Sequence, residues 1–138
     1  LFDGGAFGAA PTDGLATATQ ELASHNGTTA SYITTSTKTH DGFGRLLTES
    51  DAAGNTTTTA YSDAAGHNIG QTVTNALSHT VTTVFDKSRH LELSVTDANA
   101  KTTKLVYDAL GRRTEVWPPN SSLPAGAPYL KFSYTVSD

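Results

Sequence analysis

The chain contains no cysteine and no methionine. Without cysteine it can form no disulfide framework and carries no thiolate for catalysis or soft-metal binding. Charge is scarce as well, at 16% of residues, and the nine Lys and Arg are scattered along a chain of net charge −4. Phosphate-backbone recognition needs clustered cations to displace counterions, so nucleic acid is not an expected partner. Aromatics supply 8% and hydrophobic residues together 36%, which leaves little material for a core in 138 residues. No apolar run approaches the roughly 20 residues that a membrane-crossing helix needs, so membrane insertion is not expected either. The chain opens on Leu1 without a signal-peptide pattern, and both ends read as cut from a longer array.

What fills the sequence instead is Thr, at 24 of 138 residues, with Ser, Ala, Gly and Asn. Thr is β-branched and favours the half-exposed, pleated surface of a sheet. Gly, Asn and Asp supply the positive φ angles and side-chain bonds of tight turns. The expected fold class is therefore all-β with many turns and no substantial helix.

Self-similarity sharpens that expectation. Four segments resemble one another: His40-Asp41-Gly42-Phe43-Gly44-Arg45, Tyr61-Ser62-Asp63-Ala64-Ala65-Gly66-His67, Phe85-Asp86-Lys87-Ser88-Arg89-His90 and Tyr107-Asp108-Ala109-Leu110-Gly111-Arg112. Their aspartates are 22, 23 and 22 residues apart. Midway between them lie further turn-like segments at Asp51–Asn55, Asn75–His79 and Asp97–Lys101, and another is expected to begin at Asn120. Turns every 10 to 12 residues leave strands of roughly 5–7 residues between them. Strands are expected at Asn55–Tyr61, Gln71–Thr74, Thr80–Phe85, Leu91–Thr96 and Thr102–Tyr107, each with one well-buried face and one semi-polar face.

The turn chemistry has a physical reason. An aspartate two to three residues before glycine can accept bonds from the following N–H groups, while the glycine takes the left-handed position. The aromatic before each aspartate ends the incoming strand, where a flat side chain can cover the buried face. Arg45 and Arg112 open the outgoing strands and are expected to pair with the aspartate of a neighbouring turn. A 22-residue unit cannot bury its own apolar face, so units are expected to stack.

Residues 1–15, rich in glycine, read as a loop, a linker or the end of a preceding repeat, and residues 16–138 as the repeat array, clearest over 40–117. Thr17–Ser24 and Ala30–Thr39 are expected to form a hairpin around Asn26-Gly27, where both residues tolerate positive φ. After the Pro-rich break at Pro118–Gly126, a last strand is expected over Tyr129–Val136.

Tyr107-Asp108-Ala109-Leu110-Gly111-Arg112, followed by a strand, resembles the YD repeat of Rhs proteins, with its Tyr-Asp-x-x-Gly-Arg pattern. His40–Arg45 matches with His for Tyr, and Tyr61–His67 with Ser62 inserted and His67 for Arg. Phe85–His90 matches with Phe for Tyr, Arg89 for Gly and His90 for Arg, and Phe2-Asp3-Gly4-Gly5 reads as the relic of one more copy. The motif positions are thus His40, Asp41, Gly44, Arg45, Tyr61, Asp63, Gly66, Phe85, Asp86, Tyr107, Asp108, Gly111 and Arg112. The resemblance implies a strip of antiparallel β-hairpins that curves into part of a large spiralling shell. It also implies a secreted or cell-surface location, with neighbouring repeats and an enclosed C-terminal toxin or effector domain as partners. Repeats of this kind are scaffold rather than enzyme, and no Asp-Pro-x-Gly motif of the self-cleaving core occurs in the chain.

Catalytic and metal-binding patterns are missing in the same way. His25, His40, His67, His79 and His90 show no spacing that ligates zinc, and Asp97–Lys101 lacks the Gly and closing Glu of a calcium loop. There is no Gly-x-Ser-x-Gly elbow and no phosphate-binding loop, so no catalytic residue, metal or cofactor is assigned. The sequons at Asn26, Asn55 and Asn120 are what chance gives in a Thr-rich chain. The expected function is a non-catalytic shell segment; the alternative is an extracellular adhesin or carbohydrate-binding module, which exposed Trp117 or Tyr129 would favour. Self-association through exposed strand edges is expected.

Overall fold

The computed structural model describes residues 1–119 and 126–135. The turn expected to begin at Asn120, the sequon there and the strand end at Val136 lie outside the described residues. The fold is all-β: ten antiparallel strands in one open sheet, in chain order from β1 to β10. The strands are β1 (Ala18–His25), β2 (Ala30–His40), β3 (Leu46–Asp51), β4 (Thr56–Ala64), β5 (His67–Thr74), β6 (Thr80–Phe85), β7 (Glu92–Thr96), β8 (Thr102–Tyr107), β9 (Arg113–Trp117) and β10 (Leu130–Lys131). Among the described residues there is no helix long and apolar enough to cross a membrane.

Sequential pairing follows from the turns, because antiparallel neighbours need only a short loop between them. The strands expected at Thr80–Phe85 and Thr102–Tyr107 coincide with β6 and β8. The last strand is shorter than expected: only Leu130 and Lys131 pair with Val116 and Glu115, and the chain from Phe132 leaves the ladder. Even so, the Phe132 N–H still donates to Thr114 O (2.8 Å), and the Tyr134 hydroxyl donates to Arg113 O (2.8 Å).

The chain divides into two compact units, Leu1–Thr59 with Thr74–Ser78, and Ala60–Val73 with His79–Asp138. In the first unit β1, β2 and β3 pair with bulges at Thr19/Gln20, Leu22/Ser24 and Thr39/His40. Residues 1–15 form turns and loop held by hydrogen bonds. The Asp3 carboxylate accepts N–H bonds from Thr12, Asp13, Gly14 and Leu15 at 2.8–3.1 Å, and Phe2 bridges Ala16. The aspartate thus closes a loop of about a dozen residues on itself.

In the second unit the register defines two faces. Thr83, Val95 and Thr103 form one cross-strand row, and Leu105, Val116 and Leu130 continue the same face. The opposite face carries Thr82, Thr96 and Thr102, then Val84, Ser94, Lys104 and Trp117. Neither face is well buried, contrary to expectation. Trp117 is the one buried apolar side chain among the described residues, at 4% exposure, and Val81, Val84 and Leu93 all lie at 40% or above. A single sheet layer has nothing stacked on it to exclude water, so its apolar rows stay half-covered.

Hydroxyl pairs take the place of a core. Ser24 meets Ser31 (2.8 Å), Thr39 meets Thr48 (2.6 Å), and Ser50 meets Thr56 (2.7 Å) in the first unit. Thr72 meets Thr82 (3.1 Å) and Thr96 meets Thr102 (2.8 Å) in the second. Each such cross-strand pair contributes roughly 0.2–1 kcal/mol, which is why a Thr-rich sheet can hold together with few large side chains.

Candidate functional site

The feature that recurs is a turn built on one carboxylate. At Asp41 the N–H of Phe43 and of Arg45 both donate to Oδ1 at 2.9 Å, while Asp41 N–H donates to Arg45 O (2.9 Å) and Gly44 N–H to Asp41 O (3.0 Å). Asp108 repeats this with Leu110, Gly111 and Arg112, each bond matching its counterpart. Asp51–Asn55 and Asp97–Lys101 share the same pattern, with Oδ1 accepting twice at 2.9 Å. The fourth residue of each turn is left-handed: Gly44 (φ 78°), Gly54 (φ 84°), Ala100 (φ 59°) and Gly111 (φ 80°). This is a three-residue hairpin loop that ends in a left-handed bulge position. At Asn75 the carboxamide substitutes, accepting from Leu77 N–H (3.0 Å), and Ser78 is left-handed (φ 63°).

Both motif arginines bond within their own turns. Arg45 Nε donates to Oδ2 of its own turn's Asp41 (2.7 Å), and Arg112 Nε to Oδ2 of its own Asp108 (2.7 Å). A carboxylate whose Oδ1 already serves two backbone N–H groups presents Oδ2 outward at the reach of the side chain four residues on. That makes this bond a local one. Asn55 does the same in its turn, through Nδ2 to Asp51 Oδ2 (2.8 Å).

Arg89 makes a contact between turns. Arg89 Nη1 donates to Asp108 O and Ala109 O, both at 3.1 Å, and so ties the 86–91 turn to the 108–112 turn. A Cβ at Gly111 would stand at ordinary contact distance, 3.6 Å from Leu91 Cδ1 and 3.8 Å from Arg89 Nη1, so the left-handed φ of 80° and not crowding calls for glycine there. The third copy is one residue longer than its motif. Asp86 N–H donates to Leu91 O (2.7 Å), His90 rather than Arg89 takes the left-handed place (φ 55°), and Leu91 stands where the other copies have arginine.

Asp63 departs further. It lies within β4, and the β4–β5 hairpin turns on Ala65 (φ 50°) and Gly66 (φ 78°) alone, a two-residue loop with both positions left-handed. Asp63 is therefore a strand residue and not a turn former. His40 and Phe85 end incoming strands as expected, with the Phe85 ring 4.2 Å from that of His90. Tyr61, Phe85 and Tyr107 are half-buried.

The turn bonds shape the electrostatics. At Asp41, partial desolvation pushes the carboxyl up, but bonds from the Arg45 N–H, the Arg45 guanidinium and the Phe43 N–H hold it below the ordinary aspartate value of 3.8. Asp108 is lowered first by the Arg112 N–H and then by the Arg112 side chain, and Asp51 first by the Asn55 carboxamide and then by its N–H. Burial raises the Tyr107 phenol, and nearby Glu92 adds to it. These carboxylates are all occupied in holding backbone.

Among the described residues no three His, Asp or Glu converge to hold a metal ion. Trp117 is buried and donates Nε1–H to Glu115 Oε2 (2.9 Å), so its face cannot serve a sugar, whereas Tyr129 is 75% exposed. What sequence reasoning missed is the own-turn Arg–Asp pair and the Arg89 bridge. The first had a signal in the fixed spacing of four residues between Asp and Arg; the second had none. No family model matches the chain, and a search of curated proteins likewise finds no match.

Proposed function

We propose that this chain is a non-catalytic structural segment of a repeat wall of the Rhs/YD type, secreted or at the cell surface, which encloses or presents a C-terminal toxin or effector domain. The observation that carries the reading is a ten-stranded sheet with a single buried apolar side chain among its described residues. Such a sheet has an apolar face that calls for further layers or repeats to cover it. The Asp-capped turns and the Arg89 bridge from the 86–91 turn to the 108–112 turn support a tandem array, because turns are locked locally and one is fastened to the next.

The open edge of β1 fits the same role. Past Ala18, which exchanges backbone bonds with Leu1, it presents seven residues with Glu21 as their one carboxylate and Leu22 58% exposed, a ready template for another strand. Cut away from its neighbours, the chain is expected to self-associate. Size-exclusion chromatography with light scattering checks this, and a strictly monomeric protein at all concentrations would count against an open array.

The test of the main reading is the mass of the native polypeptide, by immunoblot of cell and culture fractions. A band many times 14.4 kDa supports a wall segment and directs attention to the domain C-terminal to it in the native polypeptide. A discrete band at 14.4 kDa overturns the reading in favour of a self-sufficient module.

A further inference from the structure

The loop between β1 and β2 is capped differently from the aspartate turns. His25 pairs with Ala30, so the loop comprises Asn26, Gly27, Thr28 and Thr29, closed by Asn26 N–H donating to Thr29 O (3.2 Å). It is not the two-residue turn that Asn-Gly suggests, because Gly27 takes positive φ (93°) and Asn26 does not. The Asn26 side chain caps the loop instead. Its Oδ1 accepts from the Thr28 N–H (3.1 Å), the Thr28 hydroxyl (3.1 Å) and the Thr29 N–H (2.8 Å). On the other side of the same peptide, the Gly27 N–H donates to His25 Nδ1 (3.2 Å), a nitrogen that accepts only when it carries no proton.

These contacts are the parts of an acyl-transfer site. The ring closed by the Thr28 N–H and Oδ1 contains both Asn26 Cγ and the Gly27 nitrogen, the two atoms that cyclisation would join. Three donors on Oδ1 draw electrons from Cγ and stand ready for the negative charge that attack would place on that oxygen. A base already faces the proton of the attacking nitrogen. Gly27 has no side chain to obstruct the approach, and nothing lies within 4 Å of where a Cβ would stand. Residues 25–29 are all exposed, so water reaches the site.

We propose that the β1–β2 loop is a self-modifying site at which Asn26 is converted to aspartate and isoaspartate with His25 as the base. The Gly27 backbone nitrogen forms a bond to Asn26 Cγ and gives its proton to His25 Nδ1. The Cγ–Nδ2 bond then breaks, and the proton leaves with Nδ2 as ammonia. The product is a five-membered imide, which solvent water opens at either carbonyl. Opening at the main-chain-derived carbonyl gives isoaspartate, and opening at Cγ gives aspartate. The aspartate product inherits the Thr28 and Thr29 donors, which converts the loop into one more carboxylate-capped turn. Its acceptor pattern is then that of Asp86, whose Oδ1 takes the N–H groups of Ser88 and Arg89.

Asn26-Gly27 is the one Asn-Gly pair in the sequence, so Asn55, Asn75 and Asn99 serve as internal controls. The experiment ages the intact chain in neutral buffer, folded and in denaturant, and follows Asn26 by peptide mapping with isoaspartate detection. Asn26 is expected to lose ammonia about tenfold faster in the folded chain than in the denatured one, a modest base-catalysis effect for an exposed site. His25→Asn keeps an acceptor facing the Gly27 N–H but no base, and is expected to bring the folded rate down to about the denatured one. His25→Ala should do the same and recover on addition of free imidazole, which a purely structural role of His25 would not show. Thr28→Val removes the hydroxyl donor and is expected to slow the folded reaction about threefold. A folded rate equal to or below the denatured rate overturns the proposal, as does an unchanged rate in His25→Asn or Thr28→Val.

Discussion

Ala100→Gly is expected to stabilise the protein, although alanine-to-glycine changes ordinarily do the opposite. Asp97–Lys101 and Asp51–Asn55 are the same turn to within 0.1 Å in every shared hydrogen bond, yet one carries Ala100 at φ 59° and the other Gly54 at φ 84°. A left-handed L-residue costs roughly 1–2 kcal/mol through its Cβ. Glycine removes that strain but loosens the unfolded chain, which gives back roughly 0.4–1 kcal/mol. The net gain for Ala100→Gly is about 0.5–1 kcal/mol, and Gly54→Ala should lose about as much. Gly54 has nothing within 4 Å of its absent Cβ, so its loss would be backbone strain and not a clash. Thermal unfolding by circular dichroism reads the difference as an upward shift of about 2–5 °C for one variant and a downward shift of similar size for the other. Ala98→Gly, in the same turn but outside the left-handed set, is the control and should destabilise. A lowered midpoint in Ala100→Gly, or an unchanged one in Gly54→Ala, would refute the account of what these turns require.

Trp117→Ala removes the one buried apolar side chain among the described residues and should cost roughly 3 kcal/mol, read by urea denaturation. Both amide atoms of Asn68 are buried without a hydrogen-bond partner, so Asn68→Leu should raise the unfolding free energy by about 1 kcal/mol or more, read as a higher urea midpoint. For acid stability the sign follows from the lowered carboxyls of Asp41, Asp51 and Asp108. Their stabilisation is fully present above the ordinary value of 3.8 and is lost as pH falls through the lower folded values. Thermal midpoints measured down an acid series should fall in that window, and Asp51→Asn with Asp108→Asn should flatten the fall; an equally steep curve in the double variant would reject the assignment.

Local chemistry explains how much of this fold could be read in advance. Asp, Gly and Asn form turns through bonds that span four or five residues, so their spacing alone placed most hairpins and the bounds of β6 and β8. Asp63 broke the pattern for an equally local reason. Ala65 and Gly66 close a two-residue turn by themselves, which leaves the aspartate on β4, and two ways of turning competed within one segment. The third copy went the same way, since an extra residue moved the left-handed place from Arg89 to His90.

Composition and turn spacing by themselves determined that the chain is all-β, that it turns at regular intervals, and that aspartates hold those turns. Tertiary structure alone decided that Arg89 bridges to the next turn. Arg89 reaches the Asp108 and Ala109 carbonyls across about twenty residues of chain, a contact set by strand pairing that no local pattern encodes. It also decided burial. Val, Leu and Tyr at alternating positions imply an inward face, but whether a face is covered depends on a second layer, and the described sheet leaves its apolar rows half-exposed while hiding Trp117.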